Sequence, residues 1–175
     1  MLNIEYRHSA SKGNTFIDCP PFWIIHELYG YESEPNARMK MGLAAEDAAY
    51  HSLNEKLRDE TIIKLAKDKY VTKYKGSEDD PECEWSGMIA KNFVIELLQF
   101  GDLMSYQNEK QVPGKEYGLK YDVIGKTDFE FKEWIVDTKA TAYIRRLKAG
   151  HVDPKWYPKD ADLRQQFLYR ELFKK

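Results

Sequence analysis

Three side chains in the stretch GKTDFEFKEWIVDTKAT have the types and spacing to do chemistry together: Asp128, Asp137 and Lys139. If Phe131 and Trp134 close a hairpin around a two-residue turn at Lys132 and Glu133, Asp128 stands directly opposite Asp137. Opposed residues of an antiparallel pair share a face, with Cβ atoms about 4.5 to 5.5 Å apart. Asp137 and Lys139 share that face too, because side chains alternate with period two. Two carboxylates so close raise each other's pKa unless a cation neutralises them. Carboxylate oxygens with open positions suit Mg²⁺ or Mn²⁺, ions that keep waters and bind phosphate oxygens. Lys139 would then orient a water or stabilise charge growing on phosphorus. The bland alternative is an ion-pair ladder on a solvated sheet face, worth under about 1 kcal/mol. The turn is the weak step of the register, since Lys-Glu lacks the Asn or Gly that tight hairpins prefer, and a slip of one residue would separate the acids.

The elements that must position these residues can be read from periodicity. The opening thirty residues, ending FIDCPPFWIIHELYGYESEP, predict a short aromatic helix between a double proline and Pro35. From Asn36 to about Tyr70, Met39, Leu43, Ala44, Ala48, Leu53, Leu57, Ile62, Ile63 and Leu65 recur near every third or fourth position, which predicts two helices or one bent one. GSEDDP is a loop, and EWSGMIAKNFVIELLQFGD is a further helix that stops near Gly101. LMSYQNEKQV, YGLKYDVIGKTDFEF and WIVDTKA predict three consecutive strands in an antiparallel meander. DADLRQQFLYRELFKK then predicts a final helix capped by Asp160 or Asp162. Helices, strands and helix in that order predict an α/β class.

At 175 residues the chain is expected to form a single domain spanning 1–175, long enough to bury roughly two thirds of its unfolded surface. A hydrophobic content of 42% and a charged content of 32% exclude a disordered chain. No apolar run approaches the ~20 residues of a membrane span and the amino terminus lacks a secretory core, so the expectation is a cytoplasmic protein with no membrane partner. Cys19 and Cys83 are too few for a disulfide scaffold and are expected to be free thiols. A net charge of −2 gives no global basic signature, so a nucleic acid would be held by a local patch. Lys64, Lys67, Lys69, Lys73 and Lys75 form one such patch, and Arg145, Arg146 and Lys148 a better one, although a charge run is usually just a solvated face.

The stretch quoted first resembles the core motif of the PD-(D/E)XK nuclease superfamily, Gly-x-x-Asp, a short hairpin, then apolar-Asp-x-Lys, filled by Gly125, Asp128, Asp137 and Lys139. The likeness extends along most of the chain and is greatest to the RecB-like and phage-exonuclease branch. SASKGNTFIDCPPFW resembles its amino-terminal segment, MGLAAEDAAYHSL its first helix, and RQQFLYREL its Gln-x-x-x-Tyr element.

The resemblance implies a restriction-endonuclease-like α/β core, a central mixed sheet with an antiparallel hairpin flanked by helices. It implies a Mg²⁺- or Mn²⁺-dependent deoxyribonuclease, an exonuclease of phage or bacterial DNA recombination, repair or processing, in the host cytoplasm if phage-encoded. Glu46, four residues after Gly42, becomes the third ligand beside Asp128, Asp137 and the carbonyl of Thr138, with Lys139 assisting the water. Gln165 and Tyr169, one helical turn apart, and Arg145 and Arg146 become contacts to DNA. Glu46 also reads as a solvated helix residue, and His51 is an outside candidate for the ligand, since relatives often carry histidine at the position of Glu46. An iron-sulfur cluster of the kind some relatives hold needs four cysteines and is excluded by count. Relatives continue past the Gln-x-x-x-Tyr helix, whereas this sequence stops at Lys175, as expected of a compact variant or a truncated domain. A structure-specific endonuclease or resolvase on the same fold, or a catalytically silent DNA-binding module, are the competing functions. A homo-oligomer or a recombination partner protein stays open.

Overall fold

The computed structural model describes residues 9–138. In order these form α1 (Ala10–Asp18), α2 (Pro20–Tyr29), α3 (Ala37–Glu55), α4 (Asp59–Thr72), α5 (Pro81–Leu97), β1 (Leu103–Tyr106), β2 (Glu109–Val112), β3 (Val123–Lys126), β4 (Phe129–Phe131) and β5 (Ile135–Val136), a mixed α/β arrangement. They fall into two compact units, one holding α3–α5 with β1, β4 and β5, the other holding α1, α2, β2 and β3. No helix of the described residues is long and apolar enough to cross a membrane.

The larger unit is built on a three-helix layer. Asn36 caps α3 by accepting the Met39 N–H at 3.0 Å, and Lys56, left-handed at φ 53°, ends it. The buried face of α3 is mostly small: Ala44, Ala45, Ala48, Ala49 and Ser52, with Met41. Small side chains let neighbouring backbones come close, and α4 supplies Ile62, Ala66 and Tyr70 to the same packing while α5 supplies Ser86, Gly87, Ala90, Val94 and Leu97. Gly87 is required here, since a Cβ on it would lie 2.8 Å from Ile63 Cγ2. Pro81 at the first turn of α5, followed by Glu82 and Glu84, starts that helix with fixed φ and favourable charge. Met39, expected in the helical stripe, is 52% exposed, and Met41 is the buried methionine.

Against the helices lies an antiparallel sheet ordered β1-β4-β5. Phe129 and Phe131 of β4 are fully buried and join the α3–α5 core, each contributing about 1.5–3 kcal/mol of apolar burial. Tyr106 pairs with Phe129, and Leu103 with Phe131, across a bulge. This corrects the expected meander: LMSYQNEKQV is not one strand but two, broken at Gln107, whose φ is 50°. A positive φ interrupts the pleat, so β1 pairs with β4, far along the chain, and β2 pairs with β3 in a separate two-stranded sheet. Every pairing among the described residues is antiparallel, so the mixed sheet the resemblance implies is not present within them.

In the smaller unit, the expected single aromatic helix is two helices, α1 and α2. Cys19 separates them with extended φ (−153°), because the following proline disfavours the helical region for its predecessor. Phe16 and Trp23 meet edge to face at 5.4 Å across the break. Cys19 is exposed and Cys83 buried, and both are free thiols.

Candidate active site

The β4–β5 hairpin has the register that the Lys-Glu turn left in doubt. The Phe131 N–H donates to the Trp134 carbonyl at 2.8 Å, Glu130 pairs with Ile135, and Phe129 pairs with Val136. Large buried aromatics on β4 fix this register against the core where turn chemistry alone would not. Asp128 precedes Phe129 and Asp137 follows Val136, so the two acids flank the last pair of the ladder. The Thr138 N–H donates to Asp128 Oδ2 at 2.8 Å, and the Thr138 hydroxyl lies 3.3 Å from the same oxygen. Asp128 is therefore tied across the hairpin mouth through Oδ2. Thr138 is buried, and Asp128 and Asp137 are half-buried.

Glu46 reaches the same neighbourhood from α3. Tyr50, one turn after Glu46, stacks on Tyr106 of β1 with centroids 4.4 Å apart and planes 13° from parallel. Tyr106 in turn packs on Phe129 at 5.2 Å, beside Asp128. Burial pushes the Tyr106 phenol well above its ordinary pKa, and the charges of Glu46, Asp47 and Asp128 push it the same way. An acid of α3 and the acid at the start of β4 thus act on one phenol, and an aromatic stack joins the two elements.

Two buried acids escaped the sequence reading. Glu130, two residues after Asp128 and hence on its face, is 8% exposed and accepts the Ser105 hydroxyl at 2.8 Å. Asp47 is 3% exposed and faces Lys73 Nζ at 2.6 Å, Lys69 Nζ at 3.2 Å and His51 Nε2 at 3.4 Å, while the Tyr74 hydroxyl donates to it at 3.3 Å. Burial raises the Asp47 pKa, but hydrogen bonds from Lys73 and Lys69 and their charges outweigh it and hold the carboxyl below its usual range. The Lys73 ammonium is held above its own by the hydrogen bond to Asp47. The signal was legible in principle: Asp47 and His51, and Lys69 and Lys73, are each one helical turn apart on consecutive helices. His51, the outside candidate for a ligand, lies between Asp47 and Glu55, 3.7 Å from the latter.

Lys139, Arg145, Arg146, Gln165 and Tyr169 lie outside the described residues, as does the expected final helix. Among the described residues, no three His, Cys, Asp or Glu side chains, Glu46, Asp128 and Asp137 included, form a group that could hold a metal ion. The donors that are present at the hairpin mouth are carboxylate and carbonyl oxygens, the chemistry that suits a hard divalent ion keeping most of its waters. No protein-family model, curated protein or solved structure matches this chain.

Proposed function

We propose that the chain is a metal-dependent deoxyribonuclease, an exonuclease in the first instance, acting through Glu46, Asp128, Asp137 and Lys139. The observation that supports this reading is the hairpin register, Phe129 with Val136 and Glu130 with Ile135, together with the Thr138 N–H bond to Asp128; carried one residue further, that register would set Asp128 across from Asp137, with Lys139 two residues on in sequence. Two acids flanking a hairpin, followed in sequence by a lysine, is an arrangement that phosphodiester hydrolysis with a hard cation can use. The resemblance of the surrounding motif to PD-(D/E)XK nucleases supports the same reading.

In this proposal Glu46, Asp128, Asp137 and the Thr138 carbonyl would hold one or two Mg²⁺ or Mn²⁺ ions, which supply charge neutralisation at the scissile phosphate and a more acidic water. The Thr138 N–H holds the Asp128 carboxylate in place across the hairpin, so less reorganisation is needed when the site is loaded. Lys139 positions the attacking water or accepts its developing charge. Gln165, Tyr169, Arg145 and Arg146 position the strand through its phosphates.

The test is cleavage of linear and covalently closed DNA in Mg²⁺ or Mn²⁺ by the parent chain and by Asp137→Ala and Lys139→Ala. The expected outcome is degradation of the linear form by the parent, at least a hundredfold loss in both variants, and unchanged far-ultraviolet circular dichroism. Either variant cutting at the parent rate overturns the assignment, and cutting of the closed form moves the chain to the endonuclease class.

A further inference from the structure

Glu46, Asp128, Asp137 and Lys139 leave the densest charged cluster of the described residues without a task. Asp47, next to Glu46 in α3, is a buried carboxylate facing two ammonium groups of α4 and the imidazole of His51. Two other helix-to-helix ion pairs match one to one, Lys67 with Glu84 and Lys91 with Asp59. At Asp47 two ammonium groups share one buried carboxylate, and Glu55 lies beyond His51 at 3.7 Å.

The solvent edge of the cluster is Lys73. Its side chain is 58% exposed, whereas Lys69 is 17% exposed and Asp47 lies beneath both. An ammonium has three donors, of which Asp47 takes one at 2.6 Å, while the Tyr74 ring lies 5.3 Å beneath the nitrogen. Asp47 also follows Glu46 directly in α3, so the cluster sits on the helix that carries the proposed third ligand. A long lysine held in place from below by a buried acid has less rotamer entropy to lose when it takes up an anion.

We infer that Lys73, seated on Asp47 beside Lys69, is a contact for a backbone phosphate of the DNA. The inference rests on the nuclease reading and gives it a second contact surface, on α4, which neither the motif nor the resemblance assigns. Such a contact positions the strand without reading its sequence, and each phosphate neutralised adds about 0.9 to the salt dependence of duplex binding.

The experiment is equilibrium binding of a short duplex to the full chain in EDTA, so that nothing is cleaved, across a potassium chloride series. Lys73→Gln is expected to flatten the slope of log affinity against log salt by about 0.9, Lys73→Arg to restore it, and Lys91→Gln, in a one-to-one pair, to leave it unchanged. Lys73→Met, which keeps the aliphatic stem, is a second variant read in the same way. An unchanged slope in Lys73→Gln and Lys73→Met overturns the inference. Because the Asp137→Ala cleavage assay is separate, a parent that cuts DNA while Lys73→Gln keeps its slope refutes the phosphate contact alone. A parent that neither binds nor cuts DNA refutes both.

Discussion

Replacing Asp47 by alanine removes a buried acid from beneath two lysines, and the cost can be worked from the exposure of each partner. Lys73, 58% exposed, turns to water once freed, so its bond is worth only the 0–1 kcal/mol or so of a surface pair. Lys69, 17% exposed, cannot rehydrate fully, and losing a charge-assisted hydrogen bond there costs about 1.5–3 kcal/mol. The expected destabilisation is about 1.5–4 kcal/mol, or roughly 3–16 °C in Tm for a chain of this size. Asp47→Asn, which keeps an acceptor but no charge, should fall between parent and alanine. The assay is urea unfolding followed by circular dichroism at pH 7 and at a series of lower pH values, with the m-value checked for constancy. The sign of the pH effect follows from the depressed pKa. The stabilisation is fully present above the unfolded carboxyl value of about 3.9 and is lost as pH falls through the lower folded value. The gap between parent and Asp47→Ala should therefore hold at neutral pH and close only on strong acidification. A gap under about 0.5 kcal/mol at pH 7, or one that widens as pH falls, would refute the reasoning.

Gly87→Val should destabilise the larger unit by about 1–3 kcal/mol or more, read as a fall in Tm, because its Cβ alone would press on Ile63 Cγ2 at 2.8 Å and the Ile63 carbonyl at 3.1 Å. Phe129→Ala should cost about 3–5 kcal/mol in urea unfolding, since the ring is fully buried; Trp134→Ala at the neighbouring turn, 55% exposed, should cost far less. Equal costs for Phe129→Ala and Trp134→Ala would mean that the hairpin is not anchored through β4.

How far the sequence discloses this fold depends on whether a signal is local. The 3.6-residue pattern places α3, α4 and α5 within a few residues, and GSEDDP is the turn between α4 and α5. The hairpin from Phe129 to Val136 is legible because a short turn fixes pairing across a few residues. The partner of β1 is not. Aromatic and β-branched density marks Leu103–Tyr106 as strand, but nothing in those four residues says that they pair with β4 rather than with β2. Met39 and Met41 differ by two positions on one helix, and only the packing of α4 and α5 decides which faces inward. Within the candidate site, Asp128 and Asp137 were legible by parity along strands, and Glu46 only through a motif. Asp47 was passed over because a charged residue in an amphipathic helix reads as solvated until the neighbouring helix is in place.

The break at Gln107 has a topological consequence. The chain leaves β1 at Tyr106 and comes back at Asp128, and Tyr106 is the ladder partner of Phe129, so departure and return are one strand spacing apart. Residues Gln107–Thr127 are thus an excursion from a sheet whose two ends already meet. Lengthening or shortening such an excursion changes its closure entropy only logarithmically, whereas a single residue added within Asp128–Val136 would shift the acids out of step. Two consecutive segments therefore carry opposite tolerances: one is a place where a lineage or an engineer can graft new recognition, and the other a ruler that has to stay the same length.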